Sequence, residues 1–323
     1  MIKLRPHQTQ IVDTLKYHTK GQVIVPTGGG KTICMIEDAK RQFTKNSVSK
    51  TIVVVAPRIL LAQQLCADFL EQNLDGNYNV GVDVLHVHSG ETHYYSTTKT
   101  KEIEEYYHNS VNNLLIFTTY HSLHKISESL DIEVDTIYFD EAHNSIQKNF
   151  IEAVEYQSMY ANRCYFFTAT PKHSKTPFKI GMNDSDIFGD VLVNVPAPKL
   201  VDEGVILPPK VIIKKIDVVD DSRFGYEKDS DHVISTIDDI DVDKILICAR
   251  STKQIVSLAS LSDFCIQLKD RGYNWMYITS KTGAIINGKK VDRESFFNTL
   301  NQWGKDDTKR FVVLHHSILS EGI

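Results

Sequence analysis

The sequence predicts an α/β protein of two parallel-sheet domains, each sheet covered by helices on both faces. Three observations carry this. Through the N-terminal part, short β-branched runs alternate with longer amphipathic stretches. Those runs are apolar throughout rather than at every second residue, as strands buried on both faces require. The alternation then breaks at "NVPAPKLVDEGVILPPK", which holds four prolines, and resumes beyond it. The expected division is a domain over 1–195, a crossing over 196–210 and a second domain over 211–323.

In order, the strand candidates of the first domain are "QVIVP", "TIVVVAP", "VGVDVLHV", "LLIFTT", "TIYFDE" and "CYFFTAT". Helix-like segments lie between them. In Arg58 to Gln72, for example, Ile59, Ala62, Leu65, Cys66, Phe69 and Leu70 form one stripe at helical period. In such sheets ligands bind at the carboxyl ends of the strands. The loops there read "PTGGGKT", "APRIL", "HSGE", "TTYHSL", "DEAH" and "TATP", all polar or glycine-containing. In the second domain "KILICAR", "NWMYITS" and "RFVVLHHS" are strand candidates, with helices expected near Lys253–Lys269 and Asp292–Trp303. The acidic stretch Asp217–Asp243 reads as a solvated face or flexible loop.

Composition narrows the class. A hydrophobic fraction of 41% suits a soluble globular chain. No apolar run nears the roughly 18 residues of a membrane span, and "MIKLRPHQTQ" lacks the apolar core of a signal peptide, so an intracellular location is expected. That means cytoplasm or nucleoid, or a host-cell compartment for a viral protein. Cys34, Cys66, Cys164, Cys248 and Cys265 are scattered without a C-x-x-C pair, as reduced core thiols are. A net charge of −5 argues against a protein coated by nucleic acid but not against one holding it in a groove. The histidines His86, His88, His93, His121, His124, His315 and His316 lack the cysteine or carboxylate that would complete a zinc pattern.

Two motifs carry the chemistry. "VPTGGGKT", Val25 to Thr32, joins a strand to a helix-like segment. Its loop, Thr27 with Gly28, Gly29 and Gly30, lets backbone N–H groups close round phosphate oxygens with no Cβ in the way. Lys31 would neutralise the β- and γ-phosphates, and the Thr32 hydroxyl would ligate Mg²⁺. The strict G-x-x-x-x-G-K-T form has glycine where this chain has Val25. "TIYFDEAHN" sets two carboxylates at a strand tip, where a metal ion is the expected guest. Asp140 would hold the Mg²⁺ of a bound ATP, and Glu141 would orient and deprotonate the attacking water.

"PTGGGKT", "APRILLAQQ", "DEAH" and "TATP", in this order, resemble the superfamily 2 helicases and translocases, which fold two RecA-like lobes round one ATP. The resemblance runs over essentially the whole chain and implies further roles. "LRPHQTQIVD" is similar to the adenine-reading segment, giving Gln8 the base and Arg5 a supporting part. "TATP" resembles the coupling motif, with Thr168 and Thr170 linked to the nucleic-acid side through His143. "APRIL" (Pro57, Arg58), "HSGE" (Ser89, Gly90), "TTYHSL" (Thr119, His121) and "ICARSTKQ" (Arg250, Ser251) resemble backbone-gripping loops, which bind without reading sequence. "LSEGI" resembles the start of the motif whose Gly322 approaches the nucleotide. The family pattern then continues with an Asp and an arginine finger, so the resemblance implies a second lobe incomplete at its C-terminus and a chain truncated before the final helicase motif.

The implied function is an ATP- and Mg²⁺-dependent helicase or translocase. "PTGGGKT" with "TATP" looks more like the DNA-acting branch, which includes the type III restriction motor subunits, than the RNA-acting DEAD-box proteins. Two other readings stand beside it. One is a nucleotide-gated clamp with little hydrolysis, as absence of the arginine finger would favour. The other is a P-loop ATPase acting on protein.

Overall fold

The computed structural model describes residues 3–43, 48–73, 81–90, 92–129, 131–176, 179–208, 210–215, 223–279 and 281–316. The chain divides into two compact units, Met1–Lys210 and Val211–Ile323.

The first unit is a RecA-like α/β sheet. Its strands are β1 (Lys20–Ile24), β2 (Thr51–Ala56), β3 (Val82–Val87), β4 (Asn113–Thr119), β5 (Thr136–Phe139), β6 (Arg163–Thr168) and β7 (Val191–Asn194). They lie in the order β3-β4-β2-β5-β6-β1-β7, and every pairing is parallel. Alternation along β2 explains the unbroken apolar run. Ile52, Val54 and Ala56 enter one core with Tyr138 and Phe167, while Val53 and Val55 enter the opposite core with Ile137, Phe139 and Phe166. With both faces covered, the strand is apolar at every position after Thr51.

β7 lies outside the predicted runs. It is an edge strand with Val191 46% exposed, so burial asks little of its sequence. The segment read as a crossing also departs from expectation. Ala197–Asp202 is a short helix whose Leu200 is fully buried in the first unit's core, so that unit extends past residue 195.

The second unit has strands β8 (Lys244–Cys248), β9 (Asn274–Thr279), β10 (Gly283–Ile286), β11 (Lys289–Val291) and β12 (Phe311–His315), ordered β11-β10-β9-β12-β8. Only β9, β12 and β8 are parallel; β10 and β11 run antiparallel, so this sheet is mixed where a parallel one was expected. Asn287 (φ 47°) and Gly288 (φ 81°) turn the β10–β11 hairpin, both in the left-handed region that two-residue turns need. The described part of the acidic stretch is the solvated face of a helix rather than a loop. Gly225–Ile240 is a helix that buries Ser230, Ile234 and Ile237 and turns most of its carboxylates outward, while residues 216–222 lie outside the described residues. The helix expected over 253–269 is two, Thr252–Leu261 and Phe264–Asp270. The last, Arg293–Lys305, starts at Asp292, whose carboxylate accepts from Ser295 N at 2.8 Å.

Candidate functional site: a phosphate loop facing an acidic strand tip

Because all seven strands of the first unit are parallel, their carboxyl ends share one edge. β1, β6 and β5 are neighbours, so the loops leaving them converge: Thr27–Gly30 after β1, Glu141–Asn144 after β5 and Thr170 after β6. Gly28 (φ 82°) and Gly30 (φ 83°) are left-handed. A Cβ at Gly30 would sit 2.3 Å from Gln8 Nε2 and displace that amide, and the left-handed backbone itself favours glycine there. Gly30 caps the helix Lys31–Gln42, which begins at Lys31.

Lys31 Nζ lies 3.2 Å from Glu141 Oε1, with both side chains mostly buried. The glycine loop and the acidic tip therefore lie against each other. Glu141 is itself left-handed (φ 45°), a conformation rare for a residue with a Cβ, and this turns its carboxylate back toward Lys31. Its other oxygen is 3.5 Å from His143 Nδ1, and that nitrogen is 3.1 Å from Thr168 Oγ1 and 3.5 Å from Thr170 Oγ1. Thr168 Oγ1 accepts from Thr170 N at 3.1 Å. A continuous polar chain thus runs from Lys31 through Glu141 and His143 to the two threonines.

Asp140 is 8% exposed. Burial, and then the Glu141 charge beside it, push its carboxyl up to about 6, while Lys31 pulls the other way. Tyr120 donates its hydroxyl to Asp140 O at 2.8 Å and fixes the strand tip from beneath. On the far side of the helix Lys31–Gln42, Asp38 is fully buried and bonded to Tyr138 of β5, Arg41 and Arg163 of β6, which locks that helix against both strands.

The N-terminal segment braces the loop. Gln8 is 6% exposed; its Oε1 accepts from Arg5 N at 2.9 Å and its Nε2 donates to Gly29 O at 3.2 Å. Arg5 itself is exposed. His7, which the sequence did not single out, is fully buried and donates from Nε2 to the same carbonyl at 2.8 Å. Its Nδ1 has no hydrogen-bond partner and faces Glu203 Oε2 at 3.9 Å. A Cβ on Gly29 would meet Leu200 Cδ1 at 3.1 Å, and one on Gly28 would meet Ile206 Cγ2 at 3.1 Å. The helix after β7 and the turn following it thus pack directly on the loop. In sequence the only trace of this was a short apolar patch among prolines.

The profile of the type III restriction enzyme res subunit matches residues 1–173, more than half of the 323-residue chain. The chain belongs to that family. No curated protein matches it. Among solved structures, an ATP-dependent type ISP restriction-modification enzyme bound to DNA, LlaBIII, is similar with a TM-score of 0.74 at 18% identity, covering 100% of this chain and 25% of that one. A nuclease-deletion mutant of the type ISP enzyme LlaGI, in complex with a DNA substrate mimic, is similar with a TM-score of 0.51 at 19% identity, covering 74% and 23%. This Res-family chain therefore spans only a quarter or less of the length of those enzymes.

The remaining predicted residues of this Res-family chain fall in two places. Loops after β2, β3 and β4 occupy the other half of the same sheet edge. Pro57 is buried, and Arg58 is exposed at the start of the helix Ile59–Asn73. A Cβ on Gly90 would meet Ile59 Cγ2 at 2.5 Å, so half-buried Gly90 sits tight against that helix start, next to exposed Ser89. Thr119 is 4% exposed and donates toward Ser122 Oγ at 3.4 Å, which leaves His121, packed edge-on to Phe150, outermost in its loop. Arg250 and Ser251 belong to the second unit, where Ser251 caps the helix Thr252–Leu261. Gly322 lies outside the described residues. Among the described residues no helix is long and apolar enough to cross a membrane.

Proposed function

We propose that this chain is the motor portion of a DNA helicase or translocase, coupling hydrolysis of Mg²⁺·ATP to movement along the strand. One observation carries most of the weight: the Lys31 ammonium and the Glu141 carboxylate meet at 3.2 Å beside Asp140, at the mouth of a glycine loop.

The donor set suits a magnesium–triphosphate guest. Among the described residues no group of three His, Cys, Asp or Glu side chains could hold a metal. A cation here would find one buried carboxylate, Asp140, and the Thr32 hydroxyl, and would fill its shell with phosphate oxygens and water, as Mg²⁺ does in nucleotide sites. Bound there, Mg²⁺ would neutralise charge between the phosphates. Burial and the Glu141 charge raise the Asp140 carboxyl, and nearby positive charge favours its ionised form.

The remaining chemistry belongs to the side chains. The N–H groups of Gly28 to Lys31 bind phosphate oxygens, and Lys31 exchanges Glu141 for the phosphates. That exchange frees the Glu141 carboxylate to orient a water and accept its proton. His143 reports the change to Thr168 and Thr170, to which it is already bonded. Gln8 and Arg5 complete the nucleotide contacts of this unit. Pro57, Arg58, Ser89, Gly90, Thr119, His121, Arg250 and Ser251 meet the DNA backbone.

ATP turnover measured alone and with single-stranded DNA, RNA and duplex tests this. Strong stimulation by DNA is expected. Binding without turnover would favour a clamp, and indifference to nucleic acid an ATPase of another kind. Glu141→Gln should retain ATP binding and lose about 10²- to 10⁴-fold in turnover; undiminished turnover would remove Glu141 as the base.

A further inference from the structure

On one face of the second unit a depression of about 500 Å³ opens, lined by Tyr226, Asp229, Arg250, Ser251, Lys253 and Gln254 among others. One lining residue, Tyr226, is aromatic, and Phe224 adjoins it. The rings of Phe224 and Tyr226 are stacked, with centroids 5.3 Å apart and planes 7° off parallel. Phe224 is 64% exposed. Neither ring belongs to the apolar clusters that hold this unit together, so the fold does not account for them.

Charge is unevenly used around this depression. The carboxylates of the helix Gly225–Ile240 hold most of the nearby cations: Arg223 pairs with Asp231, Lys214 with Asp239 and Arg271 with Asp238. Arg250 and Lys253 are exposed, and among the described residues no carboxylate pairs with either. The floor between them is fixed. Gln254 donates to Asp229 Oδ2 at 2.7 Å, accepts from Arg250 N at 2.9 Å and donates from its own N to Ser251 Oγ at 3.1 Å. Asp229 makes the floor unfavourable for a phosphate, which leaves Arg250 and Lys253 as the groups that would receive one.

A flat apolar face beside cations, over a locked polar floor, matches one repeating unit of a single strand. We infer that this depression binds single-stranded nucleic acid, with a base stacked on the Phe224–Tyr226 pair and the adjoining phosphate at Arg250 and Lys253. The site rests on the motor reading above and adds to it a contact that prefers unpaired strands, because the bases of a duplex have their faces covered. Stacking of this kind tolerates any base, since every base has a π-face.

The test uses the full chain and fluorescence anisotropy with three probes of equal length: a labelled DNA strand, the same strand made abasic, and a duplex. The wild-type protein should hold the strand tighter than its abasic copy by about 5- to 100-fold, the range of one stacked base. The double variant Phe224→Ala with Tyr226→Ala should lose that preference and keep its affinity for the abasic strand. Phe224→Tyr should retain the preference, which separates loss of stacking from loss of folding. Equal binding of both strands by the wild type, or a preference that survives the double variant, overturns this site alone. If the wild type holds no strand at all, the nucleic-acid reading falls and the site with it.

Discussion

His86 is fully buried at the end of β3, with Nδ1 3.0 Å from His88 Nε2, and its ring stacks on Phe117 and on Tyr94. Gly90 N donates to His88 Nδ1 at 3.2 Å, so His88 carries its proton on Nε2 and donates it to His86. Burial, and then the neighbouring His88, lower His86 from 6.5 to about 4. In that window the unfolded chain takes up a proton that the folded chain refuses, so stability falls as pH falls from 6.5 toward 4, by up to about 3 kcal/mol. Urea unfolding at pH 7 and pH 5 should therefore show a smaller drop in His86→Phe than in the wild type. An unchanged drop would mean that other groups carry it. His86 and His7 also mark what residue-level reading misses. Lys31, Asp140 and Glu141 were legible because each stands in a motif whose neighbours in sequence are its neighbours in the site. His7 takes its role from a carbonyl 22 residues away, and nothing local announces it.

Among elements, the helix Ala197–Asp202 has the most to say about the site. Leu200 is fully buried and touches the phosphate loop at Gly29, while Glu203, at its end, faces His7. Leu200→Ala removes a core side chain and unseats a wall of the loop. A stability loss of about 2–5 kcal/mol is expected from denaturant unfolding, with a weaker affinity for ATP by calorimetry. Stability lost with nucleotide affinity intact would show that the helix is only core. The proline-rich text around this helix reads as a crossing because four prolines interrupt any period, yet one leucine suffices to dock it. The same physics sorts the other elements. β2, β4 and β5 were plain, since burial on both faces leaves central runs that are apolar throughout. The helix Gly225–Ile240 was hidden because its few buried positions are outnumbered by carboxylates. The hairpin of β10 and β11 was missed although Asn287-Gly288 is the strongest short signal for one, its flanking strands being only partly buried.

At the scale of the molecule, the apolar cores keep to their own units. Two clusters flank the first sheet and draw only on residues up to Ile206; two others flank the second sheet and begin at Val233. Each unit has apolar clusters of its own, so each has the means to fold by itself. Every residue of the polar chain from Lys31 to Thr170, with Asp140, His7 and Gln8, lies in the first unit. Residues 1–210 expressed alone should then unfold in one cooperative transition and bind ATP with Lys31 and Asp140 in place. Lys31→Ala in that fragment should abolish binding while leaving a single cooperative transition, lowered by up to about 3–5 kcal/mol because the largely buried Glu141 carboxylate loses its cation. Turnover stimulated by DNA should require the second unit, where Arg250 and Ser251 reside. A fragment that hydrolyses ATP at the full chain's DNA-stimulated rate would confine the motor to one sheet, and a fragment that folds but holds no nucleotide would move the site away from the glycine loop.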